Sequence, residues 1–129
     1  MKQFSIQTRQ RTEFVDITAQ VKTAVHDLDM KQGVLTVFVP HTTAGVTINE
    51  NADPDVMADV KKVLDDLVPW DGGYLHTEGN SAAHVKASLM GSSVQVPVED
   101  AGLQLGTWQG IYFCEFDGPR NRTVRVIKG

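Results

Sequence analysis

Three of the four histidines stand where a chain can aim them. His41 opens His41-Thr42-Thr43-Ala44-Gly45, after the most apolar run in the sequence, Val34 to Val39, and the Pro40 that ends it. A histidine, two hydroxyls and a glycine at the end of a strand suit anion chemistry. Backbone amides near Gly45 can face an anion, while the imidazole donates, accepts or ligates. The plainer alternative is a loop histidine that satisfies nearby backbone. His76 and His84 lie on either side of Gly79-Asn80. Gly79 interrupts any helix through both, so His76 belongs to a loop. With Asn80 as cap, His84 falls in the first turns of a helix, on the face of Asn80, Ala87 and Ser88. The free amides of Ser81 to Ala83 would then favour an anion. This spacing is no zinc signature, and a surface position is the alternative for both residues. If His41, His76 and His84 converge, they hold a divalent metal (Zn or Mg) with one position open for water or substrate.

Glu50, within Ile48-Asn49-Glu50-Asn51, is a candidate metal ligand or general base. An exposed acid favoured by a nearby helix start reads equally well. After the tight turn Asp117-Gly118-Pro119-Arg120, Arg120 and Arg122 share a strand face with Val124 and Val126 and suit phosphate or carboxylate. Salt bridges to Glu115 or Asp117 are the alternative. Trp108, set between Gly106 and Gly110, either stacks on a planar ligand or packs in the core or at an interface. Cys114 reads as a small buried hydrophobe and His26 as an ordinary helix residue. The candidates are therefore His41, Glu50 and His84 for catalysis, Thr42, Thr43, Asn80, Trp108, Arg120 and Arg122 for substrate, and the three histidines for metal.

The elements that must position these residues are readable from periodicity. Lys2 to Arg9 alternates as a strand. Ile17 to Met30 places Val21, Ala24, Val25 and Leu28 on one helical face, and Gly33 stops it. Val34 to Val39 is so continuously apolar that a strand covered on both faces is expected. Gly45 to Asn49 continues as a strand. Asp53-Pro54 starts a helix with the buried stripe Val56, Val60, Val63, Leu64 and Leu67, closed by Pro69. Asn80 to Met90 forms a third helix, with Gly91 past its end. From there the period changes to two, giving strands at Val94–Val98, Leu103–Leu105, Gly110–Phe116 and Arg120–Ile127. Helices and strands first, then a run of strands, favour α+β with largely antiparallel β-sheets packed as a sandwich with two to three helices.

Composition narrows the function further. A chain of 129 residues has the length of one domain, so 1–129 is read as a single unit. Hydrophobic residues at 41% and charged residues at 22% support a packed core. A net charge of −4 argues against nucleic acid as partner, since such binders show a basic face. No stretch is long and apolar enough for a membrane span, no secretory signal is visible at Met1-Lys2-Gln3-Phe4, and the lone Cys114 fits a reducing compartment, so a cytoplasmic protein is expected.

Taken in order, His41-Thr42-Thr43-Ala44-Gly45-Val46-Thr47-Ile48-Asn49-Glu50-Asn51, Gly79-Asn80 with Ala83-His84-Val85-Lys86-Ala87-Ser88-Leu89-Met90-Gly91, Leu105-Gly106-Thr107-Trp108-Gln109-Gly110 and Cys114-Glu115-Phe116-Asp117-Gly118-Pro119-Arg120 resemble the YjbQ-like family. The resemblance runs over essentially the whole chain. One departure is the segment Asp71 to His76, which is shorter than in many members. The resemblance implies packed β-sheets, a homotrimer with sites near subunit boundaries, and a secondary thiamine-phosphate synthase activity. That reaction joins a pyrimidine diphosphate to a thiazole phosphate and expels pyrophosphate. It needs cations for the leaving group and a surface that stacks the pyrimidine, roles open to Arg120, Arg122, the Asn80–Ala83 amides and Trp108. Pyrophosphate release usually employs Mg²⁺ and oxygen ligands, whereas clustered histidines suit Zn²⁺. Phosphoester hydrolysis by metal-activated water is therefore a competing enzyme reading. A non-catalytic trimer that binds a phosphorylated metabolite or a metal uses the same residues.

Overall fold

The alternation that begins after Gly91 does build strands, but they pair across the chain rather than only with their neighbours. A computed structural model describes residues 1–129. In chain order the elements are β1 (Lys2–Gln7), β2 (Glu13–Asp16), α1 (Thr18–Asp27), β3 (Gly33–Phe38), β4 (Ala44–Glu50), α2 (Pro54–Leu67), α3 (Ser81–Met90), β5 (Ser93–Glu99), β6 (Gly102–Leu103), β7 (Gln109–Glu115) and β8 (Asn121–Lys128). Every strand pair is antiparallel. The strands form one five-stranded sheet, ordered β1-β8-β3-β5-β6, and one three-stranded sheet, ordered β2-β7-β4. The α+β sandwich expected from the order of elements is the fold observed.

The inner faces of the two sheets share the main core. Leu35, Val37, Val96, Val98, Val124 and Val126 from the larger sheet meet Val46, Ile111 and Phe113 from the smaller, and α1 adds Val21, Ala24 and Val25. A second cluster covers the outer face of the smaller sheet, where Leu64 of α2 and Ala83 and Ala87 of α3 pack on Cys114 and Phe116. The strand covered on both faces is thus β7, not β3. In β3, Leu35 and Val37 point inward, while Val34 is exposed and Thr36 and Phe38 are half-buried. The reason is topological: α2 and α3 cover the outer face of the smaller sheet, while no helix covers the outer face of the larger.

Helix α2 starts as its sequence dictates, with Asp53 Oδ1 accepting from the Asp55 N–H at 2.9 Å and Pro54 in the first turn. Its apolar stripe is not all buried. Met57 and Leu64 are, but Val63 and Leu67 are 54% and 70% exposed. Two helices share a face three strands wide, and the far side of the stripe reaches past it.

Helix α3 can lie close to β4 because Gly45 lacks a side chain. A Cβ there would sit 2.6 Å from the Gly91 carbonyl oxygen and 3.2 Å from Met90 Cβ. The same carbonyl accepts from the Val46 N–H at 3.1 Å. Gly45→Ala is expected to push α3 off the sheet and destabilise the fold by about 1–3 kcal/mol, as overpacking does. A shifted urea midpoint at constant m-value is the readout, and an unchanged midpoint refutes the close-packing account.

Candidate functional site

Two of the links that carry the chain from one sheet to the other lie side by side: β3 to β4 through Pro40–Thr43, and β7 to β8 through Phe116–Arg120. They touch, with the Phe116 N–H donating to the Thr43 carbonyl at 3.2 Å. The start of α3 closes the third side. Between them lies a cavity of about 460 Å³. His41, Thr42 and Thr43 line it from the first link, His76, Glu78, Asn80 and His84 from the loop and helix, and Arg120 and Arg122 from the hairpin. Two chain segments far apart in sequence thus bring their histidines to one place.

Arg122 and Glu115 are the framework of this site. Their side chains are 5% and 0% exposed. Arg122 Nε donates to Glu115 Oε1 at 2.8 Å and Nη2 to Thr43 Oγ1 at 2.8 Å, while Nη2 also meets Glu115 Oε2. Thr8 Oγ1, at 2.8 Å, and the Asp117 N–H, at 3.0 Å, complete the carboxylate's partners. Burial by itself would raise the Glu115 pKa. Hydrogen bonds from Arg122, Asp117 and Thr8 outweigh it and hold the group below the usual carboxylate value. Arg120 is the more open arginine, with Nη2 2.8 Å from Asp117 Oδ2 and Nε donating to the Asp117 carbonyl at 2.7 Å. Both salt bridges weighed from sequence are present, and both arginines still face the cavity.

His41 receives the Thr123 N–H on Nε2 at 3.0 Å. An imidazole nitrogen that accepts carries no proton, so neutral His41 bears its hydrogen on Nδ1. Burial first, and then the Arg122 guanidinium, push its pKa below 6.5. His76 and His84 meet edge to face with ring centroids 5.4 Å apart, and His76 Nε2 lies 3.8 Å from Glu78 Oε2. With the Nε2 lone pair of His41 engaged and its Nδ1 protonated, the donor set does not fit a three-imidazole metal centre. No group of three or more His, Cys, Asp or Glu side chains is arranged to hold an ion. What His41 offers the cavity is a hydrogen-bond donor.

Protonating His41 would also set two N–H groups against each other at Thr123. The unfolded chain takes up its proton near 6.5, the folded chain only at lower pH, so stability falls as pH drops through that window. His41→Gln retains an acceptor without a titrating group. Its denaturation midpoint is expected to change less between pH 7.5 and 5.5 than that of the unmodified protein, and equal changes refute the assignment.

Asn80 sits at the start of α3, but its side chain does not cap the helix. Nδ2 instead donates to Asp117 Oδ2 at 2.9 Å, and Oδ1 is buried without a donor. Nor do Ser81 to Ala83 line the cavity, and the Ala83 N–H is taken by the Asn80 carbonyl at 3.0 Å. Glu50 and Trp108 are placed elsewhere. Glu50 ends β4, six residues beyond Ala44, which at about 3.3 Å per residue is roughly 20 Å from the cavity end of the strand. Its carbonyl accepts from the Tyr112 hydroxyl at 2.9 Å. Trp108, 63% exposed, lies at the same far end, where its carbonyl accepts from the Asn51 N–H at 2.9 Å. Cys114 is fully buried, which pushes its thiol pKa up and leaves it no nucleophilic role. Sequence reasoning missed Glu78 altogether and named Glu115 only as a salt-bridge partner. A lone acid inside the apolar run Tyr112 to Phe116 was the available signal, since buried charge requires a partner.

The fold and cavity together define a class: a small two-sheet α+β domain with a polar histidine–arginine site where the chain crosses between its sheets. The family model described as UPF0047 protein YjbQ-like matches residues 2–128, and the chain belongs to that family. The UPF0047 protein YugU of Bacillus subtilis is 51% identical over 127 residues, covering 98% of this chain and 96% of the relative. A UPF0047 protein of Methanocaldococcus jannaschii is 49% identical, covering 95% and 89%. Among solved structures, an uncharacterized conserved protein of the same family from Clostridium acetobutylicum superposes with a TM-score of 0.96 at 56% identity, covering 98% of each chain. A hypothetical protein of Aeropyrum pernix gives 0.93 at 38% identity, covering 98% and 95%.

Proposed function

We propose that the His41–His84–Arg120 cavity binds a phosphorylated small molecule. One observation carries this reading: apart from Pro40 and the Glu78 carboxylate, every lining residue brings a hydrogen-bond donor or a cation. His41 Nδ1–H, the Thr42 hydroxyl and the two guanidiniums suit a phosphate's oxygens. Asn80 Oδ1, buried without a donor, suits a ligand hydroxyl or a protonated phosphate oxygen beside them. His84, whose ring meets that of His76, is the candidate acid–base group for a leaving oxygen.

The finer reading is a thiamine-phosphate synthase-type transferase. The cations for a departing pyrophosphate are at hand, but Trp108, the proposed stacking surface, lies outside the cavity of a single chain. Metal-dependent phosphoester hydrolysis, which the His41 tautomer disfavours, and a binder without turnover are the alternatives. Phosphorus NMR distinguishes them. The transferase releases pyrophosphate from a pyrimidine diphosphate and a thiazole phosphate, and His84→Gln stops release while pyrophosphate still binds in calorimetry. A binder shows no release and loses only affinity. Absence of binding to phosphate, pyrophosphate or a phosphate monoester overturns the proposal.

We also infer a homotrimer, supported by the exposed Val63 and Leu67 on α2 and the open face of the larger sheet. Light scattering is expected to give three times the 14.2 kDa chain mass, and a purely monomeric species at micromolar concentration refutes it.

A further inference from the structure

Helix α3 has a second polar flank. His84 faces the cavity described above, and Lys86, two residues on and so about 200° around the helix, faces the other way. Its side chain is only 5% exposed, and it donates to Asp65 Oδ1 of α2 at 2.5 Å, the one protein acceptor its ammonium has. Two of its three N–H groups are left over. A cleft of about 380 Å³ opens beside it, between α2, α3 and the loop joining β1 to β2.

The rest of this cleft is lined mainly by donors. Arg11 lies with its guanidinium carbon over the Trp70 ring, 4.1 Å from its centroid, and it makes no salt bridge. Lys61 contributes a second ammonium, 3.7 Å from Asp65. Gln10 and Thr12 add an amide and a hydroxyl. Three cations against one acid leave the lining at +2 in a chain whose net charge is −4. Burying an ammonium is costly unless it is paired, and here one carboxylate serves two lysines. A polar recess with excess positive charge and a guanidinium held over an aromatic ring favours an oxyanion.

We propose that this cleft is a second binding site, separate from the histidine cavity, for a small oxyanion carrying a carboxylate or phosphate group. The anion takes the spare Lys86 N–H groups at the floor and the free edge of Arg11 at the rim. Asp65 stays between the two lysines and holds Lys86 in place. The Thr12 hydroxyl and the Gln10 amide complete the donor set.

The test uses the emission of Trp70 in the full-length protein. Trp108→Phe removes the only other tryptophan, leaving Trp70 as reporter beneath Arg11. Sodium phosphate and sodium succinate are titrated separately, with sodium chloride holding ionic strength constant. A saturable change in emission with either anion is expected, and the one that saturates identifies the oxyanion. In this background Arg11→Gln and Lys86→Met should each raise the midpoint at least tenfold, whereas Arg120→Gln should leave it unchanged. Arg11 is exposed, so its variant tests the proposal even if Lys86→Met fails to fold. No saturable change with either anion, or an unchanged midpoint in Arg11→Gln, overturns the proposal. Loss of the signal in Arg120→Gln also overturns it, by tracing the response to the histidine cavity, whereas failure of the histidine cavity to bind phosphate leaves this signal intact.

Discussion

Arg122→Met is expected to lower the free energy of unfolding by about 3–5 kcal/mol, because it strands the buried Glu115 carboxylate without its counterion. For a domain with a total stability of about 5–15 kcal/mol, that is a large fraction. Glu115 belongs to β7 in the smaller sheet and Arg122 to β8 in the larger, so the pair pins the two sheets where the chain crosses between them. Thr8 and Thr43 bond to the same two groups and extend the clamp to β1 and β4. Glu115→Gln should lose a comparable amount, because it leaves a buried guanidinium beside a neutral amide. The double variant Glu115→Gln, Arg122→Met should lose clearly less than the two single losses combined, since it leaves no unpaired charge. Urea unfolding of the four proteins measures this, and strict additivity refutes the clamp. A pH series checks the charge. Glu115 has a folded pKa below its unfolded value near 4.5. Its contribution is complete above 4.5 and is lost as pH falls through the folded pKa. The Glu115→Gln protein should lack this loss.

Local signals in the sequence sufficed for elements whose formation is local. Asp53-Pro54 gave α2, Gly91 closed α3, and the alternation after it gave β5, β7 and β8 to within a residue or two. The element that escaped was β2. Its four residues, Glu13–Asp16, carry no strong period and become a strand only because β7 offers an edge, with Phe14 opposite Cys114. The exchange of roles between β3 and β7 has the same origin. Both are apolar runs, and which one is covered twice depends on where α2 and α3 dock, a tertiary fact that periodicity does not contain. The overextended stripe of α2 belongs here too: helical period shows which residues share a face, not how much of that face meets protein.

The site was legible to the extent that its residues sit at element ends. His41, His76, His84, Arg120 and Arg122 follow or precede strands and helices, and the crossings between sheets gather them. Glu50 was grouped with His41 because the two share a motif, yet a strand separates them, and its length alone carries Glu50 to the far end. Residue types also hid a distinction. Three histidines suggest a metal from composition, but the Thr123 N–H on His41 Nε2 sets a tautomer that only the paired backbone reveals.

Arg120→Gln is expected to weaken phosphate binding in the histidine cavity by about 10–100-fold, the loss of a charge-assisted hydrogen bond of about 1.5–3 kcal/mol. Of the two arginines, this one has the freedom to respond to a ligand. Arg122 has Nε and Nη2 committed to Glu115 and Thr43, whereas Arg120 is 51% exposed and its bonds run to Asp117 alone. Asp117 in turn accepts from Asn80 Nδ2, so guanidinium, carboxylate and amide are held as one chain along the cavity wall. Stability without ligand should hardly change, because an exposed ion pair contributes at most about 1 kcal/mol. Arg120→Lys should recover part of the affinity through charge but not all of it, since an ammonium cannot reproduce the two-pronged geometry of guanidinium. Calorimetric titration of phosphate at fixed ionic strength, with a thermal melt of each protein, separates these effects. Undiminished phosphate affinity in Arg120→Gln would remove this residue from the binding site and leave it as the surface partner of Asp117.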